Sequence, residues 1–177
     1  MTLQNRIILI TGYSTYAILL LSVLLGRPEV IMEYVSYAPA PLFAILVLLF
    51  TPRVTINKGV AFFSFCCILY YGQLYFIIEH IIEKNQFHWL IAVMSCTGAS
   101  LVGLVHSHLF QAKVCTRNDI LISAKLGLLA SIPTVISSFF GPYSSDLADQ
   151  LLAIAYYSIF PLWIITISRH LLRDRSA

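Results

Sequence analysis

The stretch WLIAVMSCTGASLVGLVHSHLF, residues 89–110, decides the fold because it contains no Asp, Glu, Lys or Arg. A helix that crosses a membrane needs about 20 predominantly apolar residues. Further apolar stretches occur on both sides of it, at 7–25, 42–50, 60–82, 120–140 and 148–172. The sequence therefore predicts an all-α fold, a polytopic transmembrane helix bundle of about six spans.

Composition supports a membrane protein. Hydrophobic residues occupy 59% of the 177 positions and charged residues only 11%, whereas soluble domains carry about 25% charged residues. The loops are short, so residues 1–177 are predicted to form a single integral membrane domain with no soluble domain. The first stretch also resembles a signal peptide, but Gly26-Arg27-Pro28 is a poor cleavage site, which favours a retained helix.

Basic residues sort to one side of the predicted membrane. If both termini are cytoplasmic, nine of the eleven fall inside: Arg6, Arg53, Lys58, Lys113, Arg117, Lys125, Arg169, Arg173 and Arg175. Lysine and arginine in short loops favour the cytoplasmic side. The sorting predicts cytoplasmic termini. It also predicts that the second stretch crosses despite Pro39 and Pro41, since otherwise every later loop would change sides.

A stripe of small residues follows the fourth span at four-residue spacing. It consists of Ser95, Ala99, Gly103 and Ser107. Small side chains let helix backbones approach closely, which drives helix association in lipid. We expect a tight helix contact here, either within one subunit or between the subunits of a homo-oligomer.

The third span carries the densest polar side chains, and they form a candidate polar lining. The set is Cys67, Tyr71, Gln73 and Tyr75. One interpretation is the lining of a pore or of an amphiphile-binding groove. The other is packing in which neighbouring helices satisfy the polar groups. Gln73 is the strongest candidate for a buried anchor, because an unpaired amide in hydrocarbon costs several kcal/mol.

The sequence offers few candidates for catalytic or metal-binding residues. Glu79, His80, Glu83 and His88 cluster near the outer surface, where a solvated helix end explains them better than a metal site. His106 and His108 are expected to be wetted at the inner surface. The chain has no Gly-x-Ser-x-Gly and no His-Glu-x-x-His. We therefore predict no enzyme activity, no cofactor and no metal site.

The predicted inner face is a candidate docking surface for an acidic cytosolic partner. Its basic residues are Arg53, Lys58, Lys113, Arg117, Arg169, Arg173 and Arg175. Topology alone explains their position, and anionic membrane lipid would also attract them. The net charge of +3 is concentrated on this one face, where the rules of membrane insertion explain it, so direct nucleic-acid binding is not predicted.

Three functions are compatible with these features. The favoured one is a non-enzymatic inner-membrane sensor or anchor subunit that forms a homo-oligomer and engages a cytosolic protein. The first alternative is a small channel or transporter, or a transporter's substrate-binding subunit, for a neutral solute or ion. The second is an immunity protein that binds a pore-forming toxin in the membrane.

The multi-span form, the retained N-terminal helix and the basic inner face resemble the membrane subunit of the bacterial anti-phage defence system Kiwa. The resemblance implies an oligomer in the bacterial inner (plasma) membrane that responds to phage at the envelope. It also implies a cytosolic, DNA-binding partner. The resemblance assigns no role to individual residues of this chain.

Overall fold

A computed structural model of the protein describes residues 3–25, 34, 37–76, 89–111, 115–138, 154–155 and 157–173. The helices in these ranges are α1 (Leu3–Leu24), α2 (Pro39–Phe50), α3 (Ile56–Phe76), α4 (Leu90–Phe110), α5 (Arg117–Ser138) and α6 (Ile159–Arg173). The described part of the chain contains no β-strand. The predicted all-α helix bundle is confirmed.

Three helices are long and apolar enough to cross a membrane: Ile56–Phe76, Leu90–Phe110 and Arg117–Ser137. At 1.5 Å per residue each is about 32 Å long, which matches the hydrocarbon core of a bilayer. The apolar helices Pro39–Phe50 and Ile159–Leu172 are shorter. Three helices of this kind are typical of a membrane protein, and the count of six spans stays a prediction.

Proline does not break α2 where it begins. Pro39 lies in the first turn of the helix, where its missing N–H would have no intrahelical acceptor in any case. The 12 residues of α2 span about 18 Å, which is less than the full hydrocarbon thickness.

Helix α6 is the centre of the bundle. It packs against α1, α2 and α5 and makes a smaller contact with α4, while α4 and α5 form the most extensive helix pair. Ile164 and Ile167 of α6 are fully buried, as are Ala44 and Val47 of α2. These side chains belong to one apolar cluster that also includes residues of α1, α3 and α4.

Neighbouring helices bring distant parts of the chain to one end of the bundle. The Gln4 side-chain amide donates to the Leu172 carbonyl at 3.2 Å, so the start of α1 lies beside the end of α6. Thr51 contacts His106, so the end of α2 lies beside the end of α4. We call this end of the bundle the inner end.

All charged residues of the described ranges lie at the inner end or within about 12 Å of it along a helix. They are Arg6, Arg53, Lys58, Arg117, Asp119, Lys125, Arg169 and Arg173. The deepest of them, Lys125, lies about two turns into α5, and no charged residue of the described ranges lies nearer the middle of the bundle. The side of the membrane that the inner end faces remains a prediction from the charge sorting.

Candidate functional site

The small-residue stripe of α4 lies inside this subunit. Ser95 is 4% exposed, Ala99 0% and Ser107 7%, and Gly103 is also buried. A Cβ atom on Gly103 would lie 2.8 Å from Ser123 Oγ of α5. Helix α5 therefore covers the stripe that the sequence assigned to helix contact, and these side chains are not on the surface of the single chain.

A polar network crosses this contact and joins three helices. The Trp163 indole N–H of α6 donates to Ser95 Oγ of α4 at 2.8 Å. The Ser95 hydroxyl donates in turn to the Gly127 carbonyl of α5 at 2.7 Å. These bonds give the Trp163 N–H and the Ser95 hydroxyl partners, and burial of either group without a partner would cost free energy. The network supports helix assembly, and none of its groups is an ionisable acid or base.

The candidate polar lining of α3 divides between two faces of the helix. Gln73 points into the bundle, where its amide N–H donates to the Met94 carbonyl of α4 at 2.9 Å. Tyr75 is 69% exposed and Tyr71 38% exposed, and Cys67 is half-buried. The structure thus places Gln73 at a helix contact and both tyrosines on the outer surface of the described bundle.

His106 is a buried residue, and the expectation that it would be wetted is wrong. Its side chain is 0% exposed and packs edge-on against Phe62, with ring centroids 5.7 Å apart. Its Nε2 lies 3.3 Å from Thr51 Oγ1. The Thr51 hydroxyl already donates to the Val47 carbonyl at 2.8 Å, so we assign the proton to Nε2, which donates to Thr51.

A signal for this burial was present in the sequence. His106 lies seven residues after Ala99 and four after Val102, and both are buried on the same face of α4. Positions spaced by four and seven share one helix face. Extending the small-residue stripe by this rule would have placed His106 in the core. His108 is exposed, as expected.

A small polar pocket that is open to the surface lies between α4, α5 and α6 at the inner end. We call it the inner pocket. Its lining consists of Gly103, Ser107, Gln111, Cys115, Asp119, Ser123, His170 and Leu171. No group of three His, Cys, Asp or Glu residues in the described ranges has an arrangement suited to a metal ion.

Asp119 fixes the local geometry of the inner pocket. Its Oδ2 accepts hydrogen bonds from the Thr116 N–H at 2.9 Å and from the Thr116 hydroxyl at 2.6 Å. The Asp119 N–H donates to Thr116 Oγ1 at 3.3 Å. These reciprocal bonds form a capping box at the start of α5, which holds the carboxylate in place at the pocket wall.

Exposed basic side chains surround the inner end. This set, which we call the basic inner surface, comprises Arg6, Arg53, Lys58, Arg117 and Arg169. None of the five forms a salt bridge with another residue of the described ranges. Arg53 has a φ of 56°, a left-handed conformation that an L-residue adopts at some cost and that turns the chain between α2 and α3.

Several residues singled out in the sequence are not described structurally. Lys113 and Arg175 of the predicted docking face lie outside the described ranges, and only the backbone of Arg173 is described. The outer His/Glu cluster, residues 79–88, lies outside them as well.

No protein-family model, curated protein or solved structure matches this chain. Function is therefore inferred from its own residues and their arrangement.

Proposed function

We propose that this protein is a non-enzymatic subunit of the bacterial inner membrane that binds a cytosolic protein partner at its basic inner surface. One observation carries the proposal: Arg6, Arg53, Lys58, Arg117 and Arg169, which are distant in sequence, are exposed together at one end of the bundle. Only one carboxylate of the described residues, Asp119, lies near them. A surface of this kind complements an acidic partner.

Electrostatic complementarity of this type mainly sets the specificity and rate of association. The five side chains are exposed, so binding a partner would not require them to leave another residue of the described ranges. Attraction between exposed charges is screened over about 10 Å at 0.1 M salt. Binding of the partner should therefore weaken as salt is raised.

Self-association is part of the proposal, and it requires a surface other than the small-residue stripe. Helix α5 covers that stripe within the subunit. The outward faces of α1 and α3 offer apolar alternatives, where Tyr13 is 65% exposed and Ile68 73% exposed. We propose that subunits associate through one of these lipid-facing surfaces.

Photocrosslinking tests partner binding in the native membrane. A photoreactive amino acid replaces Asn57, which is exposed beside Lys58 at the inner end, or Ile68 on the lipid-facing side of the same helix. We expect an adduct with a protein other than this chain from position 57 only. Arg53→Gln combined with Arg169→Gln should lower its yield about tenfold, equivalent to about 0.7 kcal/mol for each charge contact.

The matched control is Lys125→Gln, which removes one exposed basic charge about two turns into α5. It should leave the adduct unchanged. Equal adducts with a protein other than this chain from positions 57 and 68, or such an adduct that survives the double substitution and high salt, would contradict the proposal. Immunoblotting for the membrane-inserted variants confirms that expression is equal.

The resemblance to the Kiwa membrane subunit extends the proposal to phage defence, with the partner as a DNA-binding effector. Bacteria that carry the native locus are compared with the same bacteria after deletion of this chain alone. We expect more plaques after deletion. Supplying the wild-type chain should restore the original, lower plaque number, whereas supplying the Arg53→Gln/Arg169→Gln variant should not. Unchanged plaque numbers over several phage types would remove the defence role and leave partner binding to the crosslinking test.

A further inference from the structure

Helix α5 buries its polar side chains and exposes its large apolar ones. Ser131 and Thr134 are 0% and 3% exposed. Leu129 and Ile136, in contrast, are 58% and 54% exposed. A helix at the surface of a soluble protein has the opposite arrangement, with its polar residues on the outer side. Since α5 is also long and apolar enough to cross a membrane, its exposed side is a surface that faces lipid.

Two basic residues belong to this surface, which we call the outward face of α5. Exposed residues recur along the helix at spacings of three or four, which puts them on one side of it. They are Arg117, Leu121, Lys125, Leu129, Ile132 and Ile136. Lys125 lies between two leucines and about 12 Å along the helix axis from Arg117. At that depth its ammonium group requires a counter-charge, because an unpaired charge in hydrocarbon is costly.

No residue of the described ranges supplies this counter-charge. Neither Lys125 nor Arg117 forms an ion pair with another described residue. The one carboxylate among the described side chains, Asp119, lines the inner pocket together with Ser123. Because Ser123 lies against Gly103 of α4, Asp119 belongs to the side of α5 that contacts α4. Within the described ranges, both basic side chains of the outward face are therefore available to a ligand from the membrane.

A lipid phosphate matches these two side chains in charge and in position. A lysine on a lipid-facing surface extends its methylene chain so that the ammonium group reaches the headgroup region. For Lys125 that region lies towards the inner end, where Arg117 begins the helix. Arginine binds phosphate through paired N–H donors and lysine binds it as a point charge. Two cations favour a headgroup with a net negative charge, because a choline or ethanolamine headgroup would add a third positive charge beside them.

We propose that Arg117 and Lys125 form a binding site for an anionic glycerophospholipid, whose phosphate is held between the two side chains. One acyl chain of the lipid then lies along Leu129, Ile132 and Ile136 of the outward face. The site is separate from partner docking and does not depend on it. Lys125→Gln removes half of the lipid site and is expected to leave the crosslinked adduct from position 57 unchanged, so the two proposals fail separately.

Retention of lipid by the purified full-length chain tests the proposal. The protein is released from nanodiscs that contain equal amounts of phosphatidylglycerol, which is anionic, and phosphatidylcholine, and native mass spectrometry measures the lipid that stays bound. We expect preferential retention of phosphatidylglycerol. Lys125→Gln and Arg117→Gln should each lower this retention about fivefold, the effect of one basic side chain near anionic lipid. Lys125→Arg keeps the charge and should keep the retention. Far-UV circular dichroism checks that each variant is folded.

Relocation of the charge to another helix is the matched control. Lys125→Gln combined with Ser64→Lys leaves the net charge unchanged. Ser64 is exposed on α3 and lies eight residues from the start of its helix, as Lys125 does on α5. In the described ranges, α3 and α5 are not among the closely packed helix pairs. Retention should therefore stay low in the double variant.

Three results would overturn the proposal. One is equal retention of the two lipids by the wild-type chain. Another is recovery of phosphatidylglycerol in the relocated variant, which would show that net charge alone attracts the lipid. The third is undiminished retention by Lys125→Gln. If that variant also lost self-association, measured as the mass of the complex, Lys125 would instead belong to a contact between subunits.

Discussion

Gly127→Leu is expected to leave no stably folded protein, and Gly127→Ala to lower the free energy of unfolding by about 2 kcal/mol. A Cβ atom at Gly127 would overlap the Ser95 carbonyl group and lie 2.9 Å from Ala99 Cβ. The Ser95 atoms belong to the α4 backbone and the Ala99 Cβ is bonded directly to it, so neither can rotate away as the end of a flexible side chain could. Overpacking costs about 3 kcal/mol, and the higher helix propensity of alanine offsets about 1 kcal/mol of it.

Gly72→Ala is the matched control for this prediction. Gly72 lies on α3, and a Cβ atom there would meet nothing within 4 Å. This variant gains helix propensity without a clash, so its stability should equal or slightly exceed that of the wild type. Reversible unfolding of the purified protein in mixed micelles, followed by tryptophan fluorescence, measures both. Equal stability of Gly127→Ala and Gly72→Ala would contradict the packing proposed for α4 and α5.

Trp163→Ala is expected to lower the free energy of unfolding by about 3 kcal/mol. The indole packs against Phe43, with ring centroids 5.9 Å apart, and lies close to Gly98 of α4. Removing it leaves a cavity at the meeting point of α2, α4 and α6, and substitutions of this size cost about 3 to 5 kcal/mol. The lower value is expected because the side chain is only half-buried.

A double-mutant cycle separates the hydrogen bond from the packing. Trp163→Phe keeps an aromatic ring but removes the N–H, and Ser95→Ala removes its acceptor together with the donor to the Gly127 carbonyl. We expect the two substitutions to couple by about 1 kcal/mol, as interhelical hydrogen bonds in membranes do. Strictly additive losses would show that the 2.8 Å contact between Trp163 and Ser95 contributes no stability.

The positions of the helices and the clustering of basic residues at one end were predictable, because both follow from hydropathy and charge along the sequence. Residues 89–110 are apolar over a length that matches the membrane, and α4 occupies almost the same positions. The sorting of basic residues predicted that Arg6 and Arg169 would share one end, and the structure brings them there. Loop charge acts during insertion, before any tertiary contact forms.

The candidate site was harder to predict, because residue spacing defines helix faces without naming the neighbour of each face. Gln73 and Tyr75 were grouped as one lining, but they are two residues apart and so point in very different directions on a helix. The structure buries the amide against Met94 and leaves the tyrosine outside. His106 was missed for a related reason, since nearness to a helix end was taken to mean contact with water.

By itself, therefore, the sequence determined that this protein is a helical bundle. It also determined where the apolar helices lie and which residues carry the charge. All three properties depend on hydropathy and charge along short segments of the chain. Only the tertiary structure decided that α5 covers the α4 stripe, that Thr51 shares a buried contact with His106, and that Ser123 and His170 line one pocket. These contacts depend on how the side-chain surfaces of helices distant in sequence fit together.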